Sequence, residues 1–163
     1  MPYLSAYLDS LGSNFSHGAN FATAGSTIRP QNTTMSQSGY SPISLDVQFV
    51  QFSDFHRRSQ MIHKKGNDSL SELSDQVLNY AIPKIERLLQ IFILVIGGLF
   101  GTLVPKEEDF SKALYTFDIG QNDLTAGYKL NLSTEQVKAY VPEVLSQLSK
   151  VIKVSQAHNL FFF

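Results

Sequence analysis

The amino-acid sequence predicts an α/β layered domain, in which helices pack against a sheet. Two observations lead to this fold class. Residues 18–27 and 113–119 are small or apolar and are followed by turn-forming residues, as is typical of strands. Apolar residues repeat at helical spacing after Ser44 and again after Ser133. Strand, helices, strand and helix therefore follow one another along the chain, which is the order of elements in α/β domains.

The composition is that of one globular domain. The chain has 163 residues, of which 43% are hydrophobic and 12% aromatic, and this is enough to form a core. Thirteen Lys and Arg residues against fourteen Asp and Glu residues give a formal net charge of -1, so no nucleic-acid partner is expected. The sequence has no cysteine, which excludes disulfides, zinc-thiolate sites and a cysteine nucleophile.

The first part of the chain predicts a helix, a strand and a loop. Apolar residues recur at helical spacing between Tyr3 and Leu11, and a glycine follows, so we expect a short amphipathic helix there. Residues 18–27 predict a strand that runs into a turn at Gly25. The segment from Gly25 to Ser44 is rich in Ser, Thr, Asn and Gln and predicts a surface loop.

A helix is predicted to begin at Ser44. Its apolar face consists of Leu45, Phe49, Phe52 and Phe55. We expect His56 to be a surface residue of this helix rather than a ligand. The basic residues at 57–65 are expected to form the last turn, because cations there suit the helix dipole. A second helical pattern runs from Leu70 to Leu89 and is interrupted by Pro83.

Residues 91–104 are apolar and uncharged. This stretch is shorter than the roughly 18 to 20 residues that span a bilayer, so we interpret it as a buried helix or strand. A membrane-tethered protein that uses the same stretch stays open as an alternative.

The last part of the chain predicts a helix start, a strand and a long helix. Acidic residues after Pro105 suit the first turn of a helix. Residues 113–119 predict a buried strand, and residues 120–123 the turn at its end. Residues 133–136 fit a capping box for a final helix that contains a kink at Pro142.

Two of the predicted turns are candidates for chemistry, because ligands of open α/β sheets bind at the carboxyl ends of strands. The N–H group of Gly25 can approach a substrate oxygen without hindrance from a side chain, and Asn122 supplies a second donor from its amide. Two converging donors are the requirement for an oxyanion hole. The alternative reading is that Asn122 and Asp123 occupy a turn for backbone reasons alone.

Four blocks, in the same order, resemble the plant GDSL esterase/lipase family, and in particular its early-nodulin and fucosidase-named branch. These blocks are residues 2–8, 20–29 (NFATAGSTIR), 48–52 and 112–124 (KALYTFDIGQNDL). The resemblance implies the three-layer α/β/α, flavodoxin-like fold of SGNH hydrolases, with the first strand and the C-terminal part missing. It also implies hydrolysis of a small ester or lipid, without a metal or an organic cofactor. Fucosidase activity is not supported, because no pair of catalytic carboxylates is identifiable.

The resemblance assigns roles to individual residues. Gly25 corresponds to the glycine whose N–H group holds the oxyanion, and Asn122 to the asparagine that donates from its side chain. Gly120 and Asp123 belong to the same G-x-N-D motif and are expected to shape the turn. The family's G-D-S and D-x-x-H motifs do not occur in the sequence, and His158 has no aspartate three residues before it. This chain alone is therefore expected to be inactive.

We expect a single partial domain over residues 1–163. Within it, residues 66–97 form a predicted non-family insert, and residues 154–163 form a divergent tail. We interpret both as a retained intron or an imperfect gene model. The alternative to an esterase is a non-catalytic truncated relative, which is either a binding or regulatory product or a mispredicted gene model.

Sequons and resemblance together imply a secreted plant glycoprotein. N-x-S/T sequons begin at Asn14, Asn32, Asn67 and Asn131. Residues 1–8 nevertheless lack the features of a signal peptide. The sequence makes no prediction of the oligomeric state.

Overall fold

The computed structural model describes residues 4–9, 12–30, 40–76 and 98–157. The elements in these residues are β1 (Ser5–Ala6), β2 (Ala19–Asn20), α1 (Leu45–Gln76), α2 (Glu107–Phe110), α3 (Gln121–Lys129) and α4 (Thr134–Ala157). Residues 98–101 are also helical. The chain forms two compact units: the first consists of Met1–Asn20 and Asp54–Phe110, and the second of Phe21–Ser53 and Ser111–Phe163.

The first unit contains a small parallel sheet. β1 pairs with β2, with Ser5 opposite Ala19 and Ala6 opposite Asn20, and the Tyr7 N–H group donates to the Asn20 carbonyl at 2.8 Å. The helix predicted between Tyr3 and Leu11 is therefore wrong for the residues described. Pairing with a distant strand satisfies the backbone groups here, and this tertiary pairing outweighs the helical spacing of the apolar residues.

Aromatic side chains form the centre of the first unit. Phe55 of α1 is buried, and its ring meets Phe15, Phe110 and Tyr7 edge-on, with centroid distances of 5.4, 5.9 and 6.1 Å. This is the geometry that aromatic pairs prefer. Phe110 belongs to α2, whose acidic first turn agrees with the helix start predicted after Pro105.

Helix α1 begins one residue after the predicted start and ends later than predicted. It starts at Leu45 and continues through the basic residues 57–65 to Gln76. Lys, Arg and Gln are good helix formers, so the group of cations does not end the helix, which also continues through Gly66. His56 is only partly a surface residue. Its side chain is 19% exposed, and its Nε2 atom lies 3.1 Å from Glu107 Oε2.

The second unit is built on α3, α4 and the first turns of α1. Its core consists of Ile28, Leu45 and Val144, with Ile119, Tyr140, Leu148 and Val151 packed against them. The capping box is confirmed: the Ser133 N–H group donates to Gln136 Oε1 at 2.8 Å, and the Gln136 N–H group donates to Ser133 Oγ at 3.3 Å. Pro142 lies inside α4, as predicted.

The buried strand predicted at residues 113–119 is not observed. Only Tyr115 makes a bridge, while Leu114 is 68% exposed and Phe117 is 41% exposed. An apolar run becomes a strand only where a neighbouring strand accepts its backbone hydrogen bonds. Among the described residues, the one ladder is that between β1 and β2. The larger central sheet of the three-layer α/β/α fold, expected from the resemblance, is thus not seen in this part of the chain.

Several predictions fall wholly or partly outside the described residues. These concern the loop at 31–39, residues 77–97 of the second helical pattern and the predicted insert, and residues 158–163 of the tail. Residues 66–76 belong to α1, and residues 154–157 belong to α4. Among the helices that the structure describes, none has the length and hydropathy that crossing a membrane requires.

Candidate active site

The loop around Gly25 is fixed by backbone hydrogen bonds within the second unit. Gly25 has a φ of 79°, in the left-handed region that glycine adopts without strain. The N–H groups of Ser26 and Ser41 donate to the carbonyls of Thr23 and Gly25 at 3.1 and 3.0 Å. These contacts close a tight turn, as the sequence predicts, and leave Gly25 half-buried.

Side chains of this loop add further contacts. Ser26 is buried, and its hydroxyl donates to the Ile43 carbonyl at 2.7 Å and accepts from Gln48 Nε2 at 2.9 Å. The Leu45 N–H group donates to the Thr27 carbonyl at 2.9 Å. The start of α1 therefore supports the loop from one side.

Residues 120–123, predicted as a turn, form the start of helix α3. Gly120 is the N-cap with a φ of 116°, and no side chain caps the helix through a hydrogen bond. Gln121, Asn122 and Asp123 follow as the first helical residues, so both polar residues of the motif lie in the first turn. A carboxylate at this position is stabilised by the positive end of the helix dipole.

Asn122 reaches the loop that carries Gly25. Its Nδ2 atom donates to the Ser26 carbonyl at 2.8 Å, across 96 positions of sequence. An asparagine amide nitrogen carries two hydrogens, so this bond uses one of them. The structure thus brings Asn122 to the residue that follows Gly25, and the two predicted oxyanion donors lie in one region of the second unit.

Asp123 binds the same loop with its carboxylate. The side chain is fully buried, and its two oxygens accept from the N–H groups of Ile28 at 2.7 Å and Arg29 at 3.0 Å. Burying a carboxylate is costly unless such hydrogen bonds compensate for the lost water. Asp123 therefore binds a loop that is distant in sequence, a role that the sequence did not indicate; its expected shaping of its own turn stays a prediction.

Arg29 lies beside this buried carboxylate, and Tyr140 contacts the main chain of the same residue. The guanidinium group of Arg29 lies 4.5 Å above the Tyr140 ring, with its Nε atom 3.9 Å from Asp123 Oδ1 and its Nη1 atom 3.5 Å from Glu143 Oε2. The Tyr140 hydroxyl donates to the Asp123 carbonyl at 2.9 Å. The sequence indicated neither residue. Arg29 ends a motif block and Tyr140 lies on the predicted apolar face of α4, but nothing local shows that they meet.

Comparison with known proteins gives the family of this chain. The sequence profile of the GDSL-like lipase/acylhydrolase family matches residues 1–160. The chain belongs to this family. The predicted resemblance is therefore confirmed, and membership implies the α/β fold of SGNH hydrolases, with which the helices and the small parallel sheet are consistent.

Relatives in this GDSL family match most of the chain. A GDSL esterase/lipase of Arabidopsis thaliana is 56% identical over 94% of this chain and 32% of its own length. A protein of the same plant named alpha-L-fucosidase 3 is 52% identical over 94% of this chain and 33% of its own length. An esterase of Hevea brasiliensis is 47% identical over 94% of this chain and 31% of its own length. The chain thus spans about a third of the length of these relatives. No solved structure matches it.

The predicted sequons of this GDSL-family chain lie in different settings. Asn14 and Asn131 are exposed, and Asn14 Oδ1 accepts from the Ser16 N–H group at 2.9 Å. Asn67 is a residue of α1, and Asn32 lies outside the described residues. His158 also lies outside them. Within the residues described, no group of three His, Asp or Glu side chains is arranged to hold a metal ion.

Proposed function

We propose that the complete protein is a carboxylic-ester hydrolase that uses a serine acyl-enzyme mechanism. In this proposal the N–H group of Gly25 and the side-chain amide of Asn122 hold the oxyanion. The observation that carries it is the 2.8 Å hydrogen bond from Asn122 Nδ2 to the Ser26 carbonyl, next to Gly25. Membership of the GDSL-like lipase/acylhydrolase family supports the same reaction class.

The chemistry explains why two such donors matter. When a serine oxygen attacks the ester carbonyl, the carbonyl oxygen gains negative charge, and positioned N–H groups stabilise that charge most in the transition state. The Asn122 amide has a second hydrogen beyond the one bonded to Ser26, so it can donate to the Ser26 carbonyl oxygen and to the oxyanion at the same time. The serine and histidine of the mechanism correspond to the G-D-S and D-x-x-H motifs, which these 163 residues do not contain.

Ester hydrolysis is favoured over the glycoside hydrolysis that the name of one relative suggests. Glycosidases generally use two carboxyl groups that flank the scissile bond. The carboxylate that binds the loop of residues 25–29 is that of Asp123, which is fully buried and already accepts two backbone hydrogen bonds. A carboxylate in that position contributes to structure rather than to proton transfer.

The test of this function is the loss of the Asn122 amide. We expect Asn122→Ala to lower kcat of the full-length protein on p-nitrophenyl butyrate by about 10²- to 10³-fold, which is the usual effect of removing one oxyanion donor. Gln121→Ala is the matched control, because it removes the neighbouring, exposed amide of the same helical turn. An Asn122→Ala protein with the kcat of wild type would disprove the assignment.

We also propose that the complete protein is secreted and glycosylated. The exposed sequons at Asn14 and Asn131 support this, because a glycan needs an accessible asparagine. Protein from plant apoplast, analysed by mass spectrometry of glycopeptides, should carry glycans at these two positions. Unmodified asparagine at both sites would contradict the proposal.

A further inference from the structure

We propose that Asp123 is a positioning residue of the oxyanion hole, supported by Arg29 and Tyr140. In this view Asp123 contacts no substrate. It sets the distance between the Gly25 N–H group and the Asn122 amide by fixing the loop of residues 25–29 against the start of α3. The inference rests on the proposed ester hydrolysis and deepens it.

Two neighbouring side chains of α3 bind the loop of residues 25–29. Asn122 donates to the Ser26 carbonyl, and Asp123 accepts from the N–H groups of Ile28 and Arg29. Two consecutive residues thus bind three of the four residues that follow Gly25. One side chain supplies a donor and the other supplies acceptors, so the loop matches the start of α3 in only one alignment.

Helix α4 contacts both Asp123 and Arg29 through Tyr140. Tyr140 of α4 donates to the Asp123 carbonyl, while its ring lies beneath the Arg29 guanidinium group. Arg29 also donates its backbone N–H group to the Asp123 carboxylate. Tyr140 of α4 therefore contacts both residues of this hydrogen bond. Glu143, one turn after Tyr140, is exposed and forms an ion pair with Arg29.

The rate of ester hydrolysis should be sensitive to the positions of the two oxyanion donors. Oxyanion donors act at distances of about 2.7 to 3.1 Å, and a misplacement of about 1 Å can lower a rate by about 10²-fold. Asp123→Asn keeps the shape of the side chain and replaces one acceptor oxygen with a donor NH₂ group. That group then faces a backbone N–H donor of Ile28 or Arg29, and the loop must move.

The main experiment measures kcat and KM of the full-length protein on p-nitrophenyl butyrate. We expect Asp123→Asn to lower kcat by roughly 10²-fold while KM changes less than about threefold, because the lost interaction acts in the transition state. Asp118→Asn, which removes an exposed carboxylate of the same unit, is the control. A kcat for Asp123→Asn within about threefold of wild type overturns the inference.

A double variant separates positioning from a general structural role. If Asp123 acts through the oxyanion hole, the kcat loss of Asp123→Asn combined with Asn122→Ala is smaller than the product of the two single losses. Losses that multiply fully mean that Asp123 acts elsewhere, and they overturn the inference.

Amide hydrogen exchange distinguishes this inference from the proposed function. In Asp123→Asn the N–H groups of Ile28 and Arg29 should exchange faster than in wild type, whether or not the protein hydrolyses esters. Unchanged exchange rates overturn the positioning role. A wild-type protein without esterase activity instead refutes the ester hydrolase, and an Asn122→Ala protein with full activity refutes the role of Asn122 as oxyanion donor; in both cases the exchange result decides the contact.

Tyr140→Phe gives a second, milder variant in case Asp123→Asn does not fold. It keeps the ring beneath Arg29 and removes only the hydroxyl that bonds the Asp123 carbonyl. We expect about a 3- to 10-fold lower kcat with little change in KM, as for loss of one supporting hydrogen bond. Tyr128→Phe removes an exposed hydroxyl from α3 and is the matched control. Equal kcat values for the two variants contradict the inference.

Discussion

Three neighbouring residues at the start of α3 have separate roles. Gly120 provides a backbone conformation, Asn122 provides a donor and Asp123 provides an acceptor for distant N–H groups. The motif itself contains the glycine and the amide, so the sequence predicted a turn at Gly120 and a donor at Asn122, but it did not predict that the amide binds the Ser26 carbonyl. It did not predict the partners of Asp123, since those lie 94 and 95 positions away.

The conformation of Gly120 leads to a prediction of stability. We expect Gly120→Ala to lower the free energy of unfolding by at least about 1–2 kcal/mol, the usual strain of a side chain in the left-handed region. A Cβ atom there would also lie 3.4 Å from Ile28 Cδ1, in the core of the second unit. Chemical denaturation of the full-length protein measures the change.

Gly12→Ala is the comparison for this test. Gly12 has a smaller positive φ, of 77°, and a Cβ atom there would meet nothing within 4 Å. Because the φ of Gly120 lies further from the values that residues with a side chain adopt, Gly12→Ala should destabilise the protein less than Gly120→Ala. An equal or larger loss at Gly12 would contradict this prediction.

At the scale of elements, helices α3 and α4 pack closely because α3 has a glycine at the contact. A Cβ atom on Gly127 would lie 2.8 Å from Val137 Cγ2 and would also collide with the Tyr140 hydroxyl. That hydroxyl bonds the Asp123 carbonyl one turn earlier on α3. The small residue therefore permits the approach on which the Tyr140 contact depends.

This packing predicts the effect of Gly127→Ala. Alanine is a better helix former than glycine by about 1 kcal/mol, whereas an overpacked contact costs about 1–3 kcal/mol. Because Tyr140 would also lose its hydrogen bond, we expect a net loss of stability in denaturation. Gly98→Ala, at a helical position with nothing within 4 Å, should be neutral or stabilising. A stabilised Gly127→Ala protein would contradict the observed packing.

The elements that the sequence predicted correctly are those that local interactions determine. The capping box of Ser133 and Gln136 needs only residues three positions apart, and α1 begins at Leu45, one residue after the predicted start. The strand predicted at 113–119 was wrong, because an apolar run does not by itself determine a strand, whose formation depends on tertiary context. The helix predicted near Tyr7 was wrong for the same reason, since pairing with β2 makes a strand there.

At the scale of the whole molecule, the chain corresponds to about a third of its relatives, and the proposed activity is that of the complete protein. We expect the 163-residue polypeptide alone to hydrolyse no p-nitrophenyl ester above background, because its sequence contains neither G-D-S nor D-x-x-H. The full-length protein is the positive control. Hydrolysis by the short polypeptide that disappears with Asn122→Ala would refute this expectation.

The division of the chain into family sequence, insert and tail stays a prediction. Only residues 66–76 of the predicted insert are described, and they are helical. A comparison of transcripts with the genomic locus would decide it, since a retained intron predicts a second transcript without residues 66–97.

The contact between Asp123 and Ile28 bears on how much variation in chain length the molecule tolerates. It closes a segment of 95 positions, and the predicted insert at 66–97 lies inside that segment. The entropy lost on closing a flexible segment grows only with the logarithm of its length, so even a doubling costs about 0.6 kcal/mol. Adding or removing residues in this region therefore changes the free energy of forming the contact by less than one ordinary hydrogen bond contributes. Selection on the contact itself would consequently act weakly against insertions there.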